Sequence, residues 1–322
     1  MPTKMWPTWR KPWPHSGATH RSGRRSAAKT MIGGAVGVAA CLVLTAAVPA
    51  VASARQSAGS GSAPVQSGSG YLALGDSVSF GYREAANPPP PDYPDAASFV
   101  GYPEDVAADL SLRVANAACP GETSASLINA AAPSNGCERS ATGGPGYRDA
   151  FPLHVTYNGS QLHYAVRYLQ RHADVRLVSL MIGANDAFRC QTTTADHCAS
   201  ELPAVLAQIS ANVATILGRI RHDAGYDGQI VIVNYYSLNY ADPSSTAGAQ
   251  ALNQAMDTAA APFDVQIADG FAAFQQAAAQ AGGNSCTAGL LTMLSTGGCG
   301  VHPSVAGQQL LAGAVERVVA KA

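Results

Sequence analysis

Four short segments of this chain carry residue types that can do chemistry together. Ser77 closes Gly75-Asp76-Ser77, and Gly121 sits in Cys119-Pro120-Gly121-Glu122-Thr123. Asn185 belongs to Gly183-Ala184-Asn185-Asp186, and His302 opens His302-Pro303-Ser304. A serine hydroxyl is a poor nucleophile until a base takes its proton, and histidine is the natural base near neutral pH. The tetrahedral intermediate of acyl transfer carries an oxyanion that needs hydrogen-bond donors, each typically worth ~10²–10³ in turnover. The N–H groups of Ser77 and Gly121 and the side-chain amide of Asn185 are candidate donors. Glycine suits such a place because no Cβ screens its N–H. The plainer alternatives are that Ser77 only caps a helix, that Asn185 only shapes a turn, and that Gly121 serves backbone geometry alone. Asp76 and Asp186 read as structural, bonding backbone amides that shape their turns.

Alternating elements must bring these residues to one place. Buried strands are expected at 71–74, 112–118, 175–182, 229–233 and 265–268, each a short apolar run. Helices are expected near 100–110, 122–131, 162–172, 200–222, 247–260, 270–281 and from about 304 onward. Residues 85–98, with Pro88 to Pro91, read as an irregular loop, and residues 132–158, rich in Gly, Pro, Ser and Asn, as a long excursion. Strands apolar throughout and alternating with helices imply a parallel sheet covered on both faces. In such sheets ligands bind at the carboxyl ends of the strands, so Ser77, Gly121, Asn185 and His302 should meet at one rim.

Taken in order, Gly75-Asp76-Ser77, Gly121, Gly183-x-Asn185-Asp186 and His302-Pro303 resemble the sequence blocks of the SGNH (GDSL-type) hydrolases, over about Tyr71 to Val319. The resemblance implies a flavodoxin-like three-layer α/β/α sandwich with a central parallel sheet, and esterase, lipase or related deacylase activity with no metal and no cofactor. It implies Ser77 as nucleophile, His302 as base, and Ser77, Gly121 and Asn185 around the oxyanion. Secreted actinobacterial esterases and lipases are the most similar branch. The family usually places an aspartate three residues before the histidine, but here that position is Cys299. A backbone carbonyl can orient an imidazole instead. The expectation is that the carbonyl of Cys299 or of a neighbour does so, with Asp269 the other candidate acid. The substrate classes open to this chemistry are a lipid, a short-chain ester or an acetylated carbohydrate. An acyltransferase would use the same residues, and a non-catalytic glycan-binding protein on the same scaffold is the reading from another class.

The ends of the chain and its composition add an address. Residues 1–30 are basic, Met31 to Ala52 are almost wholly apolar, and Ala52-Ser53-Ala54 precedes a Ser/Gly/Gln-rich stretch. This layout reads as an export signal over 1–54, a flexible linker over 55–70 and one hydrolase domain over 71–322. The apolar run is also long enough for an uncleaved membrane anchor. Val38-Ala39-Ala40-Cys41 resembles a lipidation box, and Arg24-Arg25 a twin-arginine signal. Formal charge is −1 over the whole chain, and many basic residues lie in the leader. The rest has no basic stripe for a nucleic acid, and a monomer acting on an ester substrate is expected. Beyond Cys41 there are six cysteines, an even set that reads as disulfides in an exported chain. The simplest pairing joins sequence neighbours: Cys119–Cys137, Cys190–Cys198 and Cys286–Cys299. A zinc site from Cys190, His197 and Cys198 is the competing reading, though their spacing fits no common pattern. His154, His163, His172, His197 and His222 carry no motif and read as surface or packing residues.

Overall fold

A computed structural model describes residues 62–140 and 144–322. The export signal expected over 1–54 lies outside the described residues, as does the first part of the expected linker. The later part of that linker is built into the domain. Val65 is buried, its N–H donates to Ala320 O at 2.9 Å, and its carbonyl accepts from Ala322 N at 3.1 Å.

The strands are β1 (Gly70–Gly75), β2 (Arg113–Asn116), β3 (Val175–Met181), β4 (Gln229–Val233), β5 (Gln266–Ala268), β6 (Leu291–Met293) and β7 (Cys299–Pro303). The helices are α1 (Ser77–Phe80), α2 (Tyr102–Asp109), α3 (Ser124–Ile128), α4 (Tyr147–Ala150) and α5 (Gln161–Arg171). They continue with α6 (Ala184–Thr193), α7 (Leu202–Gly218), α8 (Pro243–Ala260), α9 (Gly270–Ala278) and α10 (Val305–Val318). Five strands form one parallel sheet in the order β2-β1-β3-β4-β5. Every residue of β1 and β4 is buried, as continuous apolar strands between two helix layers must be. One layer packs α2, α9 and α10 together; the other joins α3, α5, α6, α7 and α8. This is the expected flavodoxin-like three-layer sandwich. Strand order reverses between β1 and β3, so a crevice opens beyond their carboxyl ends.

Local sequence explains the helices well. α5 buries Leu162, Ala165, Val166 and Leu169, the i, i+3, i+4, i+7 stripe of an amphipathic helix. Ser160 caps it, Thr123 caps α3 and Ser304 caps α10. Several elements differ from expectation: α4, α6 and β6 stand where no helix or strand was expected. The helix expected over 122–131 is only Ser124–Ile128. His302 was expected in a connection before the last helix, but it lies on β7, which pairs antiparallel with β6 as a separate two-stranded hairpin. Short strands rich in Gly and polar residues leave little apolar signal to read. The hairpin is held to its surroundings by the Cys286–Cys299 disulfide.

The three disulfides join sequence neighbours as expected, with Cα–Cα distances of 5.6, 5.2 and 5.7 Å. The sulfurs of Cys190 and Cys198 are bonded to each other, so they are not free thiolates for a metal.

Candidate active site

Ser77 stands at the turn between β1 and α1. Gly75 makes that turn possible: its φ is +139°, and a Cβ there would run into the Met181 carbonyl. Asp76 caps α1, its Oδ1 accepting from Val78 N at 3.0 Å. Ser77 is thereby fixed at the rim with 9% of its surface exposed. The cap belongs to Asp76, so the alternative in which Ser77 is merely a helix cap does not apply.

The β6–β7 hairpin delivers the imidazole. His302 Nε2 lies 3.0 Å from Ser77 Oγ. The backbone beside it is held from both sides: Tyr236 OH donates to Val301 O at 2.6 Å, and Val301 N donates to Glu84 Oε1 at 3.1 Å. The Tyr82 ring stands edge-on to the imidazole, with centroids 4.8 Å apart.

His302 Nδ1 lies 2.8 Å from Glu84 Oε1, and this corrects the expected orienting group. The carbonyl of Cys299 does not take that place. Residues 299–303 run as a strand, and at roughly 3.3 Å per residue Cys299 is carried about 10 Å along the chain from His302 rather than folded back under the ring. Asp269 does not take it either; it caps α9, accepting from Ala272 N at 2.8 Å. Glu84 lies in the loop after α1, and its second oxygen accepts from the Thr292 hydroxyl. Burial pushes the Glu84 carboxyl up, but the facing His302 charge and the hydrogen bonds from His302 and Thr292 outweigh it and hold it at about 2. A carboxylate at Nδ1 makes that nitrogen the donor, which leaves Nε2 to accept the Ser77 proton. A Cβ on Gly300 would collide with this carboxylate, so glycine there makes room for Glu84. The sequence held one clue to Glu84: it is an acid seven positions past the candidate serine, in a chain whose expected acid is missing.

The other two candidate residues are linked through Asn135, which hydrogen-bonds to both. Gly121 has φ +83°, and a Cβ there would lie 2.6 Å from Gly136 Cα. No other residue fits without moving backbone. Among the described residues, the N–H groups of Ser77 and Gly121 donate to no protein acceptor. Asn185 lies in the first turn of α6 and is 7% exposed. Its Nδ2 donates to Asp76 Oδ2 at 3.3 Å, and its Oδ1 accepts from Asn135 Nδ2 at 2.9 Å. Tyr235 OH donates to the same Asp76 oxygen at 2.5 Å. Burial raises Asp76 to about 6 against the pull of its hydrogen bonds from Tyr235 and Val78 N. Asp186 was expected to shape its own turn; it lies on α6 instead and ties that helix to the start of α3, accepting from Ser124 N at 2.8 Å and Ser124 Oγ at 2.6 Å, and burial raises it to about 6.

Gln161 ties the two turns together. Its Oε1 accepts from Gly75 N at 2.6 Å, while its Nε2 donates to Gly75 O at 3.0 Å and to Glu122 Oε2 at 3.1 Å. Glu122 is fully buried, which raises its carboxyl well above the usual range. Tyr235, Asn135 and Gln161 carried no sequence signal, because each acts through contacts distant in the chain. His154 is a packing residue, its ring 4.6 Å from that of Phe80 and its Nε2 3.0 Å from the Phe80 carbonyl.

Residues 73–310 match the model of the GDSL-like lipase/acylhydrolase family. Among solved structures, the chain is similar to phospholipase A1 from Streptomyces albidoflavus NA297, at 19% identity and a TM-score of 0.51, over 79% of this chain and 100% of that one. It is likewise similar to a catalytic mutant of Axe2, an acetylxylan esterase from Geobacillus stearothermophilus, at 18% identity and a TM-score of 0.51, over 79% of this chain and 95% of that one. No curated protein sequence matches the chain.

Proposed function

The chain belongs to the GDSL-like lipase/acylhydrolase family and is a carboxylic ester hydrolase, and we propose that it works through a Ser77–His302–Glu84 triad and an acyl-enzyme. The observation that carries this reading is the unbroken chain of contacts from Ser77 Oγ to His302 Nε2 at 3.0 Å and from His302 Nδ1 to Glu84 Oε1 at 2.8 Å. Ser77 Oγ attacks the ester carbonyl while His302 Nε2 takes its proton. Glu84 keeps the imidazole in the right tautomer and stabilises the imidazolium that forms, as the carboxylate does in other triads. The oxyanion is received by the N–H groups of Ser77 and Gly121 and the Asn185 amide. His302 returns its proton to the departing alcohol. Water then attacks the acyl-enzyme, with His302 again as base, and releases the acid.

The enzyme acts as a secreted monomer. Support for export comes from three disulfides, which persist in oxidising compartments, and from the leader-like order of residues 1–54. The reading is tested with a fluorophosphonate probe and a series of p-nitrophenyl esters of increasing acyl length, run beside acetylated xylan. Wild type should label and turn over, and Ser77→Ala should do neither. Equal labelling of both would remove Ser77 from the mechanism, and the preferred ester reports whether the substrate is a lipid, a short-chain ester or an acetylated carbohydrate.

A further inference from the structure

Asn135 has no part in the acyl-transfer steps, yet it touches two of the three oxyanion donors at once. Its backbone N–H donates to Gly121 O at 2.8 Å, and its side-chain Nδ2 donates to Asn185 Oδ1 at 2.9 Å. It lies two residues before Cys137, whose disulfide to Cys119 closes the segment bearing Gly121. Gly136 is packed so tightly on Gly121 that a Cβ there would lie 2.6 Å from Gly136 Cα, so the Asn135 backbone has little freedom to shift.

The side chain of Asn185 is held at both ends. Its Nδ2 faces the Asp76 carboxylate, an acceptor, and its Oδ1 faces the Asn135 NH₂, a donor. Turning the amide over would set oxygen against oxygen at one end and N–H against N–H at the other. The two holds differ. The Asp76 contact is 3.3 Å, on an oxygen that also accepts from Tyr235 OH at 2.5 Å, whereas the Asn135 contact is 2.9 Å. Asn135 makes the shorter contact and is the one that faces the Asn185 oxygen. An amide nitrogen carries two hydrogens; with one on Asp76, the other is free for the oxyanion only while the amide stays in this orientation. The Asn135 Oδ1 is buried and accepts no protein hydrogen bond among the described residues, so the side chain is held there by what its Nδ2 does.

We propose that Asn135 is a positioning residue of the oxyanion hole, fixing the Asn185 amide and the Gly121 loop in register so that both donors meet the same oxygen. This rests on the reading of Ser77, Gly121 and Asn185 as oxyanion donors. The test is a double-mutant cycle with p-nitrophenyl acetate, combining Asn135→Ala with Asn185→Ala. Alone, N135A should lower kcat roughly tenfold or more with KM changed less than about twofold, since only a transition-state contact is loosened. In the N185A background the same change should cost less than about twofold, because its target is gone. Asn135→Asp keeps the volume but opposes oxygen to Asn185 Oδ1, so it should lose at least as much as N135A; it carries the test if the alanine variant fails to fold. A kcat within about twofold of wild type in a folded Asn135 variant, or an equal loss in both backgrounds, overturns the proposal. N185A alone separates the two claims. If it leaves kcat unchanged, the oxyanion reading itself fails; if it lowers kcat while N135A does not, only the role of Asn135 fails.

Discussion

The proposed site has two halves built in different ways. Ser77, Gly121 and Asn185 hang from the carboxyl ends of β1, β2 and β3, three adjacent strands of the buried parallel sheet. His302 and Glu84 come from a separate two-stranded hairpin and an irregular loop. The first half is positioned by sheet register, and the second by cross-links between loops. Asn87 Nδ2 donates to Met293 O at 2.9 Å, Ser295 N donates to Ala86 O at 2.7 Å, and Cys286–Cys299 anchors the hairpin. The electrostatics differ in the same way. In the sheet half, burial raises Asp76 and Asp186 to about 6; in the hairpin half, the His302 partnership holds Glu84 at about 2 despite burial. Precise donor placement is thus the task of the rigid scaffold, while the proton-handling pair is assembled from parts that need their own ties.

The halves meet at Ser77, so the largest effect is expected there. Ser77→Ala should lower p-nitrophenyl ester turnover by roughly 10⁴–10⁶ with an unchanged circular dichroism spectrum. Asn185→Ala belongs to the sheet half and should cost kcat about 10²–10³, with little change in KM. Removing the Cys286–Cys299 bond, by serine at both positions, should lower Tm on the order of 10 °C and also lower kcat. Removing Cys190–Cys198 should lower Tm while leaving kcat near wild type. If the two disulfides affect kcat alike, the contrast between the halves fails.

The smallest effect is on pH dependence. The folded Asp186 carboxyl keeps its proton up to about 6, above its ordinary 3.8. The folded state then binds more protons between those values, so this group's contribution to stability falls as pH rises through that window. For Glu84 the sign is opposite: its contribution is present above its ordinary 4.5 and is lost as pH falls toward about 2. Asp186→Asn should therefore flatten the decline of Tm between about pH 4 and pH 6. An unaltered slope would mean that burial does not raise this carboxyl.

What could be read from the sequence follows the same division. The sheet half was legible because Ser77 and Asn185 closely follow the buried strands β1 and β3, so Gly75-Asp76-Ser77 and Gly183-Ala184-Asn185 carry their own structural context. The hairpin half was legible only at His302-Pro303-Ser304, where Ser304 caps α10. Glu84 lies 218 residues from His302, and nothing in its own neighbourhood, Tyr82-Arg83-Glu84-Ala85, announces a partner. The missing aspartate at 299 showed that something else must orient the imidazole, but a cysteine carbonyl was the local answer and the fold supplied a distant one. Asn135 and Tyr235 were invisible for the same reason.

Turnover of Glu84→Gln, measured beside Asp269→Asn, tests the triad most directly. Glutamine keeps the size of the side chain but can present an N–H to Nδ1, which favours the wrong tautomer of His302. The triad predicts a kcat loss of roughly 10²–10⁴ for E84Q with the fold and KM retained, and for D269N little change in activity or stability, since asparagine caps a helix about as well as aspartate. A folded E84Q enzyme with kcat within about threefold of wild type, or a D269N enzyme that loses activity instead, would contradict it.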